Sequence, residues 1–148
     1  MDPCPHCGGR TDDSHLPFAE RLLKTLHHPE PSRAELAIEI LAERLHEPRA
    51  AIPLIELLAK SGDASILRQA VRGLGSLGDP RAVVPLIRLL ENGEVPYVVR
   101  AEAARSLGKI GGEDSLMALR HAIYDSRATV SQAAREALET KGATMRPR

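Results

Sequence analysis

Aromatic side chains are almost missing from this chain: one Phe, two Tyr and no Trp in 148 residues. The stacking platforms of single-strand nucleic-acid binders need such rings, so that class starts at a disadvantage. The core must instead come from Ala, Leu, Ile and Val, which suit closely packed helices. Cysteine is nearly as scarce. Cys4 and Cys7 are the only two, which excludes a disulfide-stapled scaffold. No apolar run approaches the roughly 18 residues of a membrane span. The opening Met-Asp-Pro-Cys is polar and unlike a signal peptide, so cytoplasmic residence is the expectation. Net charge is absent too, with Lys+Arg and Asp+Glu at 20 each. A nucleic-acid binder normally shows a basic excess, so nucleic acid is not the expected partner. The balance is uneven, however: residues 1–47 carry 5 basic and 9 acidic groups, residues 48–148 carry 15 and 11, and the two parts differ in sign.

What the chain does have is an internal period. Residues 48–58 read PRAAIPLIELL and residues 80–90 read PRAVVPLIRLL, 32 residues apart and sharing PRA, PLI and LL. The segments that follow repeat as well. SILRQAVRGLGSLG at 65–78 matches VVRAEAARSLGKIG at 98–111 and TVSQAAREALETKG at 129–142, at offsets of 33 and 31. Repeats of this length mark stacked supersecondary units. A more divergent first unit is set by Leu22, Leu23 and Leu26, 32 residues before Leu54, Ile55 and Leu58.

Each half-unit has a helical stripe. Val83, Leu86, Ile87 and Leu90 fall at i, i+3, i+4, i+7, and Val99, Ala103, Leu107 and Ile110 at i, i+4, i+8, i+11. Gly78-Asp79-Pro80 and Gly111-Gly112 supply the stops. The pattern predicts eight helices at 16–27, 32–46, 49–60, 64–76, 81–91, 96–110, 114–124 and 128–141. Pro53 and Pro85 fall inside two of them, about five residues in, where a kink is expected. Arg120 takes the place of Ile55 and Ile87, as suits a terminal unit.

The second and third units carry the pattern D-P-R-A-V-x-P-L-I-x-L-L, a loop, then V-R-x-x-A-A-x-x-L-G-x-I-G, seen at Asp79 to Leu90 and Val99 to Gly111. This resembles HEAT repeats of the bacterial phycobilisome-lyase-like class, closely over 48–143 and poorly over 16–47. The resemblance implies an all-α, right-handed α-solenoid of about four helical hairpins, with second helices lining a concave face. Most such proteins bind other proteins, and a few are lyase subunits or enzymes. Leu67 and Ser131 stand where the family prefers the Arg seen at Arg100, so no continuous arginine ladder is expected. The resulting map is a CxxC extension at 1–15, a solenoid at 16–143 with units 16–47, 48–79, 80–112 and 113–143, and a tail at 144–148.

Two groups of residues could carry function. Cys4-Pro5-His6-Cys7-Gly8 has the spacing of a zinc knuckle, two thiolates two residues apart above a glycine turn. Zinc takes four ligands; His15 is the nearest further candidate, with His27, His28, Asp12, Asp13 or a second chain as alternatives. An unliganded tail is the competing reading. The same tetrapeptide occurs in thioredoxin-fold oxidases, but no strand–helix pattern surrounds it here. His46-Glu47 resembles the His-Glu pairs of HEAT-type iron hydroxylases, yet the matching places hold Gly78-Asp79 and Gly111-Gly112, so a solvated helix end is expected. No phosphate loop, G-x-S-x-G or H-E-x-x-H is present.

The second group lies opposite the buried stripe of the second helices. Helix phase puts Glu39, Arg72, Arg105 and Glu136 there, with Glu35, Arg68, Ala101 and Gln132 one turn earlier. Arginine is favoured at protein interfaces because its planar fork pairs with carboxylates. A mixed-sign stripe does not suit a phosphate backbone. The expectation is a non-catalytic scaffold whose central arginines, Arg68, Arg72 and Arg105, bind an acidic segment of a partner protein. Glu39 and Glu136 would flank that segment and exclude a long polyanion. A lyase-type enzyme subunit and a knuckle-assisted nucleic-acid binder are the rivals.

Overall fold

A computed structural model describes residues 18–145, with side chains through residue 140. Eight α-helices follow one another: α1 (Phe18–Thr25), α2 (Pro31–Glu39), α3 (Ala51–Lys60), α4 (Ala64–Leu77), α5 (Val83–Glu91), α6 (Tyr97–Ile110), α7 (Glu113–Ala122) and α8 (Ala128–Met145). No strand occurs among the described residues. α2 continues into a π turn, Ile40–Arg44, and 3-10 turns at Pro48–Ala50 and Pro80–Ala82 lead into α3 and α5.

The local chemistry accounts for the ends. Asp63 caps α4 by accepting the N–H groups of Ser65 and Ile66, and Gly78 closes it in the left-handed region at φ 68°. Glu47 and Asp79 perform the same task one repeat apart, accepting the N–H of Arg49 and of Arg81 at 3.1 and 2.9 Å. The prolines correct one expectation. Pro53 and Pro85 are the third residues of α3 and α5, where a backbone N–H has no intrahelical acceptor to lose. The break in the hydrogen-bond ladder therefore falls at the junction of 3-10 turn and α-helix, not inside the helix.

Consecutive helices pair as α1/α2, α3/α4, α5/α6 and α7/α8, and the second members stack α2–α4–α6–α8. Between the layers lie Leu26, Ile38, Leu41, Leu54, Leu74, Leu86, Leu90, Leu107 and Leu119, all at most 2% exposed. Each such side chain contributes about 1.5–3 kcal/mol by leaving water. Small residues let the second helices approach: a Cβ on Gly75 would lie 2.9 Å from Ser106 Cα, and one on Gly108 would lie 2.7 Å from Ala137 Cβ. The buried Ser106 hydroxyl donates to Val71 O at 2.8 Å, so this contact leaves no orphan donor. The first helices stay further apart, with grooves of about 240 and 360 Å³ between α3 and α5 and between α5 and α7. The second helices thus pack against one another more closely than the first helices do.

Candidate protein-binding face

The second helices bring the expected residues to one surface. Glu39 on α2, Arg72 on α4, Arg105 on α6 and Glu136 on α8 share a row; Arg68, Arg72 and Arg105 have side chains 58%, 50% and 43% exposed. Ala101 does not join them. It is 1% exposed because α6 packs on both sides, against α4 and α8, and its methyl group fits that seam.

The arginines are not the bare cations expected from helix phase. Glu102, only 10% exposed in its side chain, lies between two of them, with Oε2 3.7 Å from Arg68 Nε and 3.5 Å from Arg105 Nη1. Glu43 Oε1 stands 3.1 Å from Arg72 Nε. That oxygen is buried without an aligned donor, so the contact is ionic rather than a hydrogen bond. Mutual repulsion among the arginines is thus already relieved from within the chain. Glu39 pairs loosely with Arg44 at 3.6 Å, and Glu136 accepts from Gln132 Nε2 at 3.1 Å. Beside Arg105, a groove of about 340 Å³ runs between α6 and α8, lined by Arg105, Lys109, Glu136 and Thr140 over Gly108 and Ala137. Lys109 has no ion-pair partner among the described residues.

Three of these residues escaped the sequence reading. Glu43 and Lys109 lie one turn beyond Glu39 and Arg105, so helix phase could have found them. Glu102 gave no signal, since its repeat equivalents are Leu36, Gln69 and Ala133.

The sequence pattern of the family described as HEAT repeats matches residues 19–98 and 53–139. The chain belongs to the HEAT-repeat family. Among curated proteins no match is found.

Other features of this HEAT stack are structural. Arg100, 8% exposed, donates Nε–H to Leu90 O at 2.9 Å and pairs with Asp125. Leu67 fills the same position in the preceding repeat, and Ser131 turns back to Ala128 O, so the arginine stands without a ladder. The Arg81 guanidinium and N–H hold the Asp79 carboxyl below its ordinary pKa, and Arg49 does the same for Glu47. Both acids are turn caps, away from the arginine face. His46 adopts the left-handed φ of 49° at the end of the π turn, the Glu47 N–H closes that end by donating to Leu41 O at 2.8 Å, and the Glu47 carboxylate caps the next turn.

No group of three or more His, Cys, Asp or Glu residues able to hold a metal occurs among the described residues. Cys4, Cys7 and His15, the expected zinc ligands, lie outside them. No helix among the described residues is long and apolar enough to cross a membrane.

Proposed function

We propose that this HEAT protein is a non-catalytic interaction scaffold whose concave face holds a short, mixed-charge segment of a partner protein. The observation that supports it is the set Arg68, Arg72 and Arg105, held on adjoining helices by Glu43 and Glu102 while staying about half exposed. Each guanidinium has five N–H donors, and the internal ion pairs occupy few of them. Fixing the forks beforehand lowers the entropy lost on binding. Glu39 and Glu136 border the set, so a carboxylate flanked by neutral or basic groups fits better than a polyanion.

The decisive experiment is affinity purification from the native cell with wild type and the Arg72→Glu/Arg105→Glu variant. The reversal sets new carboxylates against the mostly buried Glu43 and Glu102, so stability should fall by about 1–3 kcal/mol while the chain stays helical by circular dichroism. Affinity for the captured partner should fall more than about tenfold, or roughly 1.4 kcal/mol. A partner held equally well by both proteins would move the binding surface elsewhere.

The motif at 79–90 and 99–111 supports placing the repeats in the phycobilisome-lyase-like class, and work in the cytoplasm is a separate proposal, compatible with the lack of a membrane-spanning helix among the described residues. A lyase subunit would betray itself by pigment absorbance in the purified protein. For the extension, Cys4 and Cys7 are proposed to hold zinc with His15, on the C-x-x-C-G spacing. Metal analysis of chelator-free protein tests this: zinc below about 0.2 per chain, unchanged by Cys4→Ser, would sink it.

A further inference from the structure

The opposite face of the stack carries a second pattern. Ile52, Val84 and Met117 are large apolar residues left 44%, 54% and 56% exposed. They are 32 and 33 residues apart, so they hold one and the same place on α3, α5 and α7. In the first hairpin that place is Glu20, which pairs with Arg49 at 3.3 Å and closes the stripe. Single exposed apolar residues need no explanation, but a row in register across three repeats does. Val84 and Met117 of the row border the groove between α5 and α7, and the groove between α3 and α5 lies beside it. Val84, Ile87, Met117 and Ala118 wall the one between α5 and α7; Ile55, Leu58, Pro85 and Leu89 wall the one between α3 and α5. Arg88 lines both grooves and has no ion-pair partner among the described residues.

We propose that this first-helix face is a second docking surface, and that its occupant is an amphipathic helix of a partner protein. That helix lies across α3, α5 and α7 and presents a carboxylate to Arg88. Spacing suits a helix. Packed helix axes stand about 8–10 Å apart, and a helix rises about 1.5 Å per residue, so one step takes about five to seven residues, the widest matching one heptad. Apolar residues at i, i+7 and i+14 then meet the three sites from a single helix face. Charge selects the acid. Arg88 is the charge common to both grooves, while Glu91 and Asp114 border only the α5/α7 groove, so one central carboxylate fits and a run of them does not.

The test uses the full chain, isotope-labelled, and a synthetic helical peptide of about 18 residues. The peptide has Leu at three positions seven apart and Glu midway along the same face. Amide shifts should concentrate on α3, α5 and α7. Val84→Glu with Met117→Glu should weaken binding more than about tenfold, and Arg88→Glu by about fivefold, regained with a Lys-for-Glu peptide. Arg72→Glu/Arg105→Glu should leave this binding unchanged, which separates it from the concave face. Circular dichroism checks that each surface variant stays helical. The proposal is overturned by absence of shifts at millimolar peptide, by shifts on α4 and α6 instead, or by indifference to the Val84/Met117 changes. Concentration-dependent shifts of the stripe without peptide would assign it to self-association and overturn it equally.

Discussion

Arg100 on α6 reaches forward into the next hairpin and pairs with Asp125, while its Nε–H satisfies Leu90 O within its own hairpin. One side chain thus ties the last turn of α5 to the loop after α7. Burial pushes the Asp125 carboxyl up, but the Arg127 N–H and then the Arg100 guanidinium more than offset this, and the net pKa is lowered. A carboxyl with a lower pKa folded than unfolded binds fewer protons when folded. Its stabilisation is complete above the unfolded value near 4 and is lost as pH falls through the folded value. Asp125→Ala should cost about 1.5–3 kcal/mol at neutral pH. In denaturant titrations, its difference from wild type should shrink steadily between about pH 5 and pH 2. A difference independent of pH would mean that the ion pair contributes nothing.

Glycine-to-alanine changes inside helices usually stabilise, by about 1 kcal/mol. At Gly75 and Gly108 the sign should reverse. The new methyl would meet Ser106 Cα at 2.9 Å, or Ala137 Cβ at 2.7 Å, and the second helices would have to part. Each change should destabilise by about 1–3 kcal/mol. Gly93, in the turn between α5 and α6 with nothing within 4 Å of a built Cβ, controls for adding a methyl group where there is room for it. Thermal melts of the three variants give the comparison, and a stabilised Gly108→Ala would contradict the close approach.

Leu107 is fully buried between repeats. Truncation to Ala should cost about 2–5 kcal/mol in chemical unfolding. A loss under about 0.5 kcal/mol is what an exposed position would give.

His46 stands at φ 49°, where Gly78 stands at φ 68° one repeat later. A side chain with a Cβ is strained there, and glycine is not. His46→Gly should therefore raise stability by about 0.5–1 kcal/mol, seen as a higher melting temperature. A lower melting temperature would show that the imidazole itself supports the turn.

The sequence by itself determined the helices and their order. The doubled PRA-x-x-PLI-x-LL block and its matching second halves located eight helices, and α3 to α8 start and end within a few residues of expectation. Local signals sufficed because helix period, Asp caps and glycine stops act over neighbouring residues. Helix phase also gave the row Glu39, Arg72, Arg105 and Glu136, since direction from the core repeats with the helix. What it could not give was each residue's neighbour on the next helix. Glu102 sits between Arg68 and Arg105 because Gly75 and Gly108 draw α6 toward its neighbours, and Ala101 is buried by the same approach. The first-helix stripe of Ile52, Val84 and Met117 was readable as spacing but not as exposure. Whether an apolar side chain is covered depends on how far apart the flanking helices stand, and side-chain volumes in the opposite layer set that distance.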